Sequence, residues 1–255
     1  MAERRAGVKA RALIVSVGKF HSPSGLGHRK GAETDTKRLH HVLYKLGFEV
    51  VIRMDITARD ILREYRRESR QNHGPSFVSI VSSHGEDGVI YGADGEPVHL
   101  RDIYSMFTEK NCPSLAGKPK IFFIQACRGG NLDDGVCVEQ IETDSCSAQQ
   151  DFFSHYLAIP DDTAVHFSSC PGYCSFLRPS GSAFLQTLCE LLSGEQRHWE
   201  LLRIMTHVNC RVALMFESRG RYGGKKQMPC FISKLQEEVY PFSDRPAAER
   251  EPSSP

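Results

Sequence analysis

Several features that mark particular classes of protein are missing from this chain of 255 residues. Its charge is nearly balanced, with 32 basic against 31 acidic residues, so no global field would attract nucleic acid or a membrane surface. No apolar run approaches the ~20 residues that a membrane-spanning helix needs. The basic segment at residues 1–11 lacks the apolar core of a secretory signal peptide. We therefore expect no nucleic-acid partner, no membrane association and no secretion.

The cysteines also show no pattern typical of a disulfide-stapled or metal-bound framework. Their number, nine, is odd, and they are scattered without the paired spacing of a metal site. In a chain without a secretion signal, reduced thiols and a cytoplasmic location are the better expectation. A reducing compartment would also preserve a reactive thiol, which oxidants disable. No metal and no cofactor are predicted.

Apolar strand patterns alternate with helical patterns along most of the chain, which is long enough for one large domain or two small ones. Strands are predicted at residues 12–17, 48–53, 77–81, 121–124 and 165–169, with a last one from residue 230. Helices are predicted at residues 33–46, 57–69, 100–107, 182–192 and 200–216. This alternation predicts an α/β fold with a mostly parallel sheet covered by helices on both faces.

Two segments depart from this pattern. Residues 131–152 are polar and acidic with no sustained apolar period, and about 20 such residues inside a domain indicate an exposed linker. Residues 243–255 are polar and carry prolines, and they are predicted to be a disordered tail.

The string Gln-Ala-Cys-Arg-Gly at residues 125–129 carries the most information about function. One predicted strand leads to Cys127, and another leads to His84, which lies 43 residues earlier. Active sites of open α/β sheets lie at the carboxyl ends of their strands. A lone cysteine after a strand is more often a small buried residue. The five-residue string, with a histidine about 50 residues upstream, instead favours a catalytic thiol.

From about Arg11 to about Phe242 the chain resembles the caspases, specifically those of the executioner (effector) type. The resemblance implies a three-layer α/β/α fold whose mostly parallel six-stranded sheet extends across the two-fold axis of a homodimer. It implies a catalytic domain at residues 12–242, divided into a large subunit (12–144) and a small subunit (153–242). The short segment 1–11 leaves no room for a recruitment domain, and it contains no aspartate at which a propeptide could be removed.

The resemblance also assigns the catalytic groups. Cys127 corresponds to the nucleophile and His84 to the proton carrier, while the N–H groups of Gly85 and Cys127 would form the oxyanion hole. A thiol peptidase requires these three functions together. On the residues alone, Gly85 could also be an ordinary turn glycine.

Caspases cleave after aspartate, and the resemblance assigns the residues that would bind that carboxylate. Arg29, in the string at residues 28–31, and Gln125 correspond to pocket residues, and a guanidinium pairs best with a carboxylate. Arg178 corresponds to the second pocket arginine, and Ser175 and Phe176 to lining residues.

Around Arg178 the chain departs from the family pattern. Cys174 stands where an aromatic residue is usual, and Leu177 separates Phe176 from Arg178. The loop at residues 219–224 is shorter than in executioner caspases, so no preference for the residue four before the cut is carried over.

Within the linker, Ile-Glu-Thr-Asp-Ser at residues 141–145 resembles the site at which an initiator caspase or granzyme B activates an executioner zymogen. Cleavage after Asp144 would separate the large and small subunits, and the freed ends would reorder around the thiol.

The sequence leaves three functions open. The first is an executioner-type endopeptidase that cleaves protein substrates at exposed aspartates. The second is a catalytically weak homologue that acts as a regulator or scaffold. The departures at Cys174 and Leu177 and the short loop near Tyr222 point to it, but the intact His84, Gly85, Gln125, Cys127 and Arg29 argue against it. The third is a peptidase of this fold that cleaves after basic residues, which would need acidic residues where the chain offers Arg29.

Overall fold

The computed structural model describes residues 8–135 and 158–244, and its centre is a sheet of six strands. The strand order is β2-β1-β3-β7-β8-β9, and every neighbouring pair is parallel except β8 and β9. The strands are β1 Arg11–Ser16, β2 Glu49–Met54, β3 Phe77–Ser82, β7 Lys120–Gln125, β8 Thr163–Phe167 and β9 Cys230–Ser233. The predicted strands are thus confirmed.

Helices cover both faces of this sheet. They are α1 Ala32–Lys45, α2 Ala58–Glu68, α3 Leu100–Ser105, α4 Ala183–Ser193 and α5 Leu201–Met215. Helices α1, α4 and α5 pack on one face, and α2 and α3 pack on the other. The predicted three-layer α/β/α arrangement is confirmed, although α3 ends two residues before the predicted boundary.

The central strands are buried on both faces, which explains their nearly continuous apolar sequence. In β1, Ile14 points into the core beneath α1, whereas Leu13 and Val15 point into the core beneath α2. In β7, Phe123 points into the core beneath α1 and Phe122 into the core beneath α2. Because successive side chains of a strand face opposite sides, one short apolar run supplies both cores.

Local signals determine where several helices begin and end. Thr57 caps α2, since its hydroxyl oxygen accepts a hydrogen bond from the N–H of Asp60 at 3.2 Å. Ser182 caps α4 in the same way through the N–H of Leu185. Gly47 follows α1 with a positive φ of 86°, a conformation that glycine adopts at low cost.

A second sheet, which the sequence did not predict, lies between β3 and α3. It is antiparallel and consists of β4 Gly85–Glu86, β5 Val89–Tyr91 and β6 Pro97–His99. These strands of two or three residues are too short to show a period of two. Their position matters because β4 begins immediately after His84.

The end of the described chain packs against the domain. Phe242 lies in the core and contacts Phe48, with ring centroids 5.9 Å apart. Ser243 and Asp244, which the prediction placed in the tail, both contact His198. None of the helices in the described ranges has the length and apolarity needed to cross a bilayer.

Candidate active site

The sheet brings the predicted thiol and imidazole to one edge. Strands β3 and β7 are adjacent and parallel, with Ser82 opposite Gln125 at their carboxyl ends. His84 and Cys127 each follow two residues later. Both line one cavity of about 350 Å³. Its other lining residues are His28, Arg29, Lys30, Gly31, Ser83, Gln125, Ala126, Ser175, Leu177, Arg178 and Pro179.

The imidazole of His84 is held in one orientation. Its Nε2 lies 2.8 Å from the carbonyl oxygen of Gly27, and its ring centroid lies 5.0 Å from that of Phe20. A carbonyl oxygen only accepts, so Nε2 carries the proton and Nδ1 is the basic nitrogen of the neutral ring. Burial lowers the pKa of His84, the hydrogen bond to Gly27 partly offsets this, and the charge of Arg29 lowers it further.

The sulfur of Cys127 is half-buried and lies against the backbone of Ser175. The N–H of Ser175 donates to Sγ at 3.3 Å, and Sγ lies 3.5 Å from the Ser175 carbonyl oxygen. These contacts join the nucleophile candidate to a loop that follows β8. This contact could not be inferred from the sequence, since Cys127 and Ser175 are 48 residues apart.

Gly85 lies where a side chain would not fit. A Cβ at this position would stand 2.5 Å from the carbonyl oxygen of Val89, 3.0 Å from the Cβ of Ala126 and 3.3 Å from the carbonyl oxygen of Cys127. The backbone of β4 therefore approaches the segment around Cys127 closely, as the assignment of Gly85 to the oxyanion hole requires.

Arg29 is a buried cation in the same cavity. It is 7% exposed, and its guanidinium donates to the carbonyl oxygen of Val17 at 2.8 Å and to the hydroxyl of Ser82 at 3.1 Å. Burial lowers its pKa to about 10, so it remains charged at neutral pH. Within the described ranges no carboxylate forms an ion pair with it. An unpaired buried charge is costly, and a carboxylate ligand would offset that cost.

Gln125 and Ser175 lie together beside Arg29. The Gln125 amide donates to the hydroxyl of Ser175 at 2.8 Å, and that hydroxyl donates to the hydroxyl of Ser168 at 2.8 Å. The chain of bonds fixes two of the cavity's polar groups to the end of β8.

Arg178 and Phe176 are placed less deeply. Arg178 is exposed at the rim of the cavity, where its guanidinium lies 4.9 Å from the Phe216 ring centroid and donates to the carbonyl oxygen of Glu217. Phe176 packs on Phe216 at 5.3 Å and does not line the cavity. Leu177 lines the cavity instead.

One residue that supports the site was missed by the sequence analysis. The Asp35 carboxylate is buried and accepts hydrogen bonds from the N–H of Ser182 at 2.9 Å and from the side chain of Gln186 at 2.6 Å. Burial raises its pKa, and these two bonds oppose the shift. It anchors the chain just after Arg178 to α1. The available signal was its position four residues before Leu39, on the apolar face of α1.

The predicted processing site, Asp144, lies outside the described residues. Just before it, the carbonyl oxygen of Asp133 accepts from the N–H of Lys226 at 2.8 Å, and the Asp134 carboxylate pairs with Lys225. In the described part of the chain no group of three or more His, Cys, Asp or Glu side chains could hold a metal ion.

Comparison with known proteins shows the family to which the chain belongs. The family model described as a caspase domain matches residues 9–240. Caspase-3 of Bos taurus is 38% identical over 234 residues, which cover 89% of this chain and 82% of the relative. Caspase-3 of Xenopus laevis is 40% identical over 234 residues, covering 90% and 79%. Caspase-7 of Gallus gallus is 36% identical over 241 residues, covering 90% and 76%.

Proposed function

This chain belongs to the caspase family of cysteine peptidases, and on that basis we propose that it is an endopeptidase that cleaves proteins after aspartate. One observation carries the proposal: the buried guanidinium of Arg29, which forms no ion pair with a carboxylate of the described residues, shares a cavity with Cys127 and His84. The thiol and imidazole supply the chemistry of peptide hydrolysis, and the cation supplies the specificity for a carboxylate.

The aspartate side chain would enter the cavity and pair with Arg29. A guanidinium has five N–H donors, and its contacts with Val17 and Ser82 leave others for a carboxylate. The ion pair between Arg29 and the substrate carboxylate would be strong because the guanidinium is already buried and charged before the substrate binds. A basic substrate side chain would instead face repulsion, which argues against cleavage after lysine or arginine.

In this mechanism the sulfur of Cys127 attacks the carbonyl carbon of the scissile bond. His84 takes up the thiol proton, and it later donates that proton to the leaving amine. The Gly27 carbonyl at Nε2 would stabilise the imidazolium, since a protonated ring donates a stronger hydrogen bond. The resulting thioester is hydrolysed by water, which releases the carboxyl fragment and restores the thiol.

The negative charge that develops on the substrate oxygen requires donors fixed in advance. The N–H groups of Gly85 and Cys127 are the candidates, because β4 is held close to the segment containing Cys127. Removing one such donor from a peptidase typically costs about 10²–10³-fold in kcat.

We further propose an activation step that involves the linker. Cleavage after Asp144 by an initiator caspase or granzyme B would give a large fragment that ends at Asp144 and a small fragment that begins at Ser145 and contains the small subunit, residues 153–242. Cys127 and His84 would then lie on one fragment, and Ser175 and Arg178 on the other. Because the Ser175 backbone contacts the Cys127 sulfur, both fragments would have to stay together after the cut to form one active site.

The same proposal covers assembly and location. Strand β9 lies at the edge of the sheet, where a second copy could pair with it across a two-fold axis. The cellular role would be that of an apoptotic executioner acting in the cytoplasm.

A covalent probe tests the proposed function. The protein is treated with two tetrapeptide fluoromethyl ketones that differ only in ending with aspartate or asparagine, and the labelled residue is mapped by mass spectrometry. We expect the aspartyl probe to label Cys127 at least ~100-fold faster, because asparagine leaves Arg29 without a carboxylate partner.

Two variants serve as controls. Cys127→Ala should abolish labelling, whereas Cys210→Ser, which removes an exposed thiol on α5, should leave it unchanged. Equal labelling by both probes would contradict the role of Arg29. A folded protein that neither probe labels would favour the weak homologue that acts as a regulator.

A further inference from the structure

A second thiol lies beside the nucleophile candidate. Cys174 immediately precedes Ser175, whose N–H donates to the Cys127 sulfur at 3.3 Å, so the two cysteines are neighbours; the Cys174 Sγ lies 3.3 Å from the carbonyl oxygen of Gly129. Both cysteines are half-buried and unbridged. Cys174 is absent from the lining of the substrate cavity, so the proposed reaction leaves this thiol without a role.

The backbone keeps the two thiols in register. The segment that follows Cys127 pairs with the loop that carries Cys174 through a run of hydrogen bonds. These are Arg128 N–H to Tyr173 O at 3.0 Å, Gly172 N–H to Arg128 O at 2.8 Å, Asn131 N–H to Gly172 O at 3.0 Å and Cys174 N–H to Asn131 O at 2.9 Å. A disulfide requires two Cα atoms within about 7 Å of each other, and this pairing keeps the two segments adjacent.

We propose that Cys174 is a resolving thiol that converts peroxide-oxidised Cys127 into a reversible Cys127–Cys174 disulfide. The proposal rests on the assignment of Cys127 as the reactive nucleophile. It makes Cys174 a modification site and places the proposed peptidase under the control of hydrogen peroxide.

The chemistry proceeds in two balanced steps. The Cys127 thiolate attacks hydrogen peroxide, the O–O bond breaks, and a sulfenic acid and hydroxide form. The Cys174 thiolate then attacks that sulfur, the S–O bond breaks, and the hydroxide that leaves takes up the proton of Cys174 as water. Two thiols and one peroxide thus yield one disulfide and two waters, and a small dithiol reverses the change by exchange.

The surroundings of Cys174 favour this order of events. Burial raises the pKa of Cys174, and the negative charge on the Cys127 sulfur raises it further. In the reduced enzyme Cys174 therefore remains a thiol while Cys127 reacts. Because a sulfenic acid is neutral, oxidation of Cys127 removes the charge that suppresses ionisation of its neighbour. The resolving thiol becomes more reactive when it is needed.

A second close pair provides a competing outcome. The Cys230 Sγ lies 3.7 Å from the carbonyl oxygen of Ser169, next to Cys170, and the interaction with Cys230, together with the charge of Arg128, lowers the pKa of Cys170 to about 7 against the effect of burial. Peroxide could oxidise that pair without involving Cys127. The test must therefore identify which sulfurs become joined.

The experiment treats the full-length protein with hydrogen peroxide, blocks the remaining thiols with N-ethylmaleimide, and maps the cysteines by mass spectrometry without reduction. Chymotryptic cleavage after Tyr173 separates Cys170 from Cys174, so the pairs are resolved. We expect a peptide joining Cys127 to Cys174, lighter by two hydrogens, that dithiothreitol splits.

Cys174→Ser is the test variant and Cys210→Ser its matched control. With Cys174→Ser, Cys127 should progress to the sulfinic acid, which dithiothreitol does not reverse; the control should behave as the wild type. The proposal is overturned if wild-type Cys127 reaches the sulfinic acid as fast as in Cys174→Ser, or if only Cys170 and Cys230 become joined. The readout identifies which cysteines are joined, so it tests the disulfide even if the protein hydrolyses no peptide and the proposed function fails.

Discussion

The Nε2 of His84 donates a hydrogen bond to the carbonyl oxygen of Gly27 across 2.8 Å. This bond fixes the tautomer of the imidazole and leaves Nδ1 as the nitrogen that exchanges protons. Gly27 belongs to the same loop as Arg29. One segment after β1 therefore orients the imidazole that is proposed to carry protons and supplies the buried cation that is proposed to bind the substrate carboxylate.

Replacing Arg29 tests that recognition. Arg29→Ala should lower kcat/KM for aspartyl peptides by about 3–5 kcal/mol, roughly 10²–10⁴-fold, because the substrate carboxylate would be buried without a partner. The measurement is the ratio of kcat/KM for matched aspartyl and asparaginyl peptides. Arg63→Ala, which removes an exposed arginine on α2, should leave the ratio unchanged. An Arg29 variant with the wild-type ratio would contradict the assignment.

Adding one methyl group at Gly85 tests the oxyanion hole. Gly85→Ala places a Cβ 2.5 Å from the carbonyl oxygen of Val89, so β4 must shift and its N–H must move. We expect kcat to fall by about 10²–10³-fold. Gly130→Ala is the matched control, since a Cβ there meets nothing within 4 Å. Similar kcat values for the two variants would exclude Gly85 from the hole.

The strands and helices could be predicted because they follow simple periods. Continuous apolar runs such as β3 and β7 are typical of strands buried on both faces. The same pattern predicted that Cys127 and His84 lie at one edge of the sheet, since neighbouring parallel strands end on the same side.

Contacts between distant segments could not be predicted. The Ser175 N–H reaches Cys127 across 48 residues of sequence, and no local pattern records such a bond. Strands β4 to β6 were missed because two or three residues show no period. Phe176 was expected to be a lining residue, whereas Leu177 lines the cavity and Phe176 packs on Phe216.

A buried histidine away from the site predicts how stability depends on pH. His166 is fully buried in β8 among Phe123, Phe184 and Phe231, and burial lowers its pKa to about 4. Below pH ~6.5 the unfolded chain binds a proton that the folded chain does not, so stability falls as the pH falls towards 4. Between pH 6.5 and 5 this residue should lower the free energy of unfolding by about 2 kcal/mol.

Urea unfolding of His166→Gln measures this contribution. Glutamine does not titrate, and its amide can still donate to Asn209, as Nε2 of His166 does at 2.7 Å. Between pH 6.5 and 5 the free energy of unfolding of His166→Gln should decline less than that of the wild type. His207→Gln, at an exposed position on α5, should show the wild-type decline. An unchanged decline in His166→Gln would show that His166 is not the group responsible.

The proposed activation step depends on one peptide bond. Asp144→Ala should leave a chain that an initiator caspase or granzyme B does not divide, as seen by gel electrophoresis over time. Asp134→Ala is the matched control and should be cut at the wild-type rate, because this stretch is held by Lys225 and Lys226. Processing of Asp144→Ala at the wild-type rate would move the site to another aspartate.

The most direct test of the central claim is the rate of hydrolysis of fluorogenic tetrapeptides ending in aspartate, measured before and after cleavage at Asp144, beside asparaginyl peptides and the Cys127→Ala variant. We predict turnover that rises on cleavage, is confined to the aspartyl peptides and is absent without Cys127. No turnover by a folded, cleaved protein, or turnover that persists in Cys127→Ala, would contradict the account.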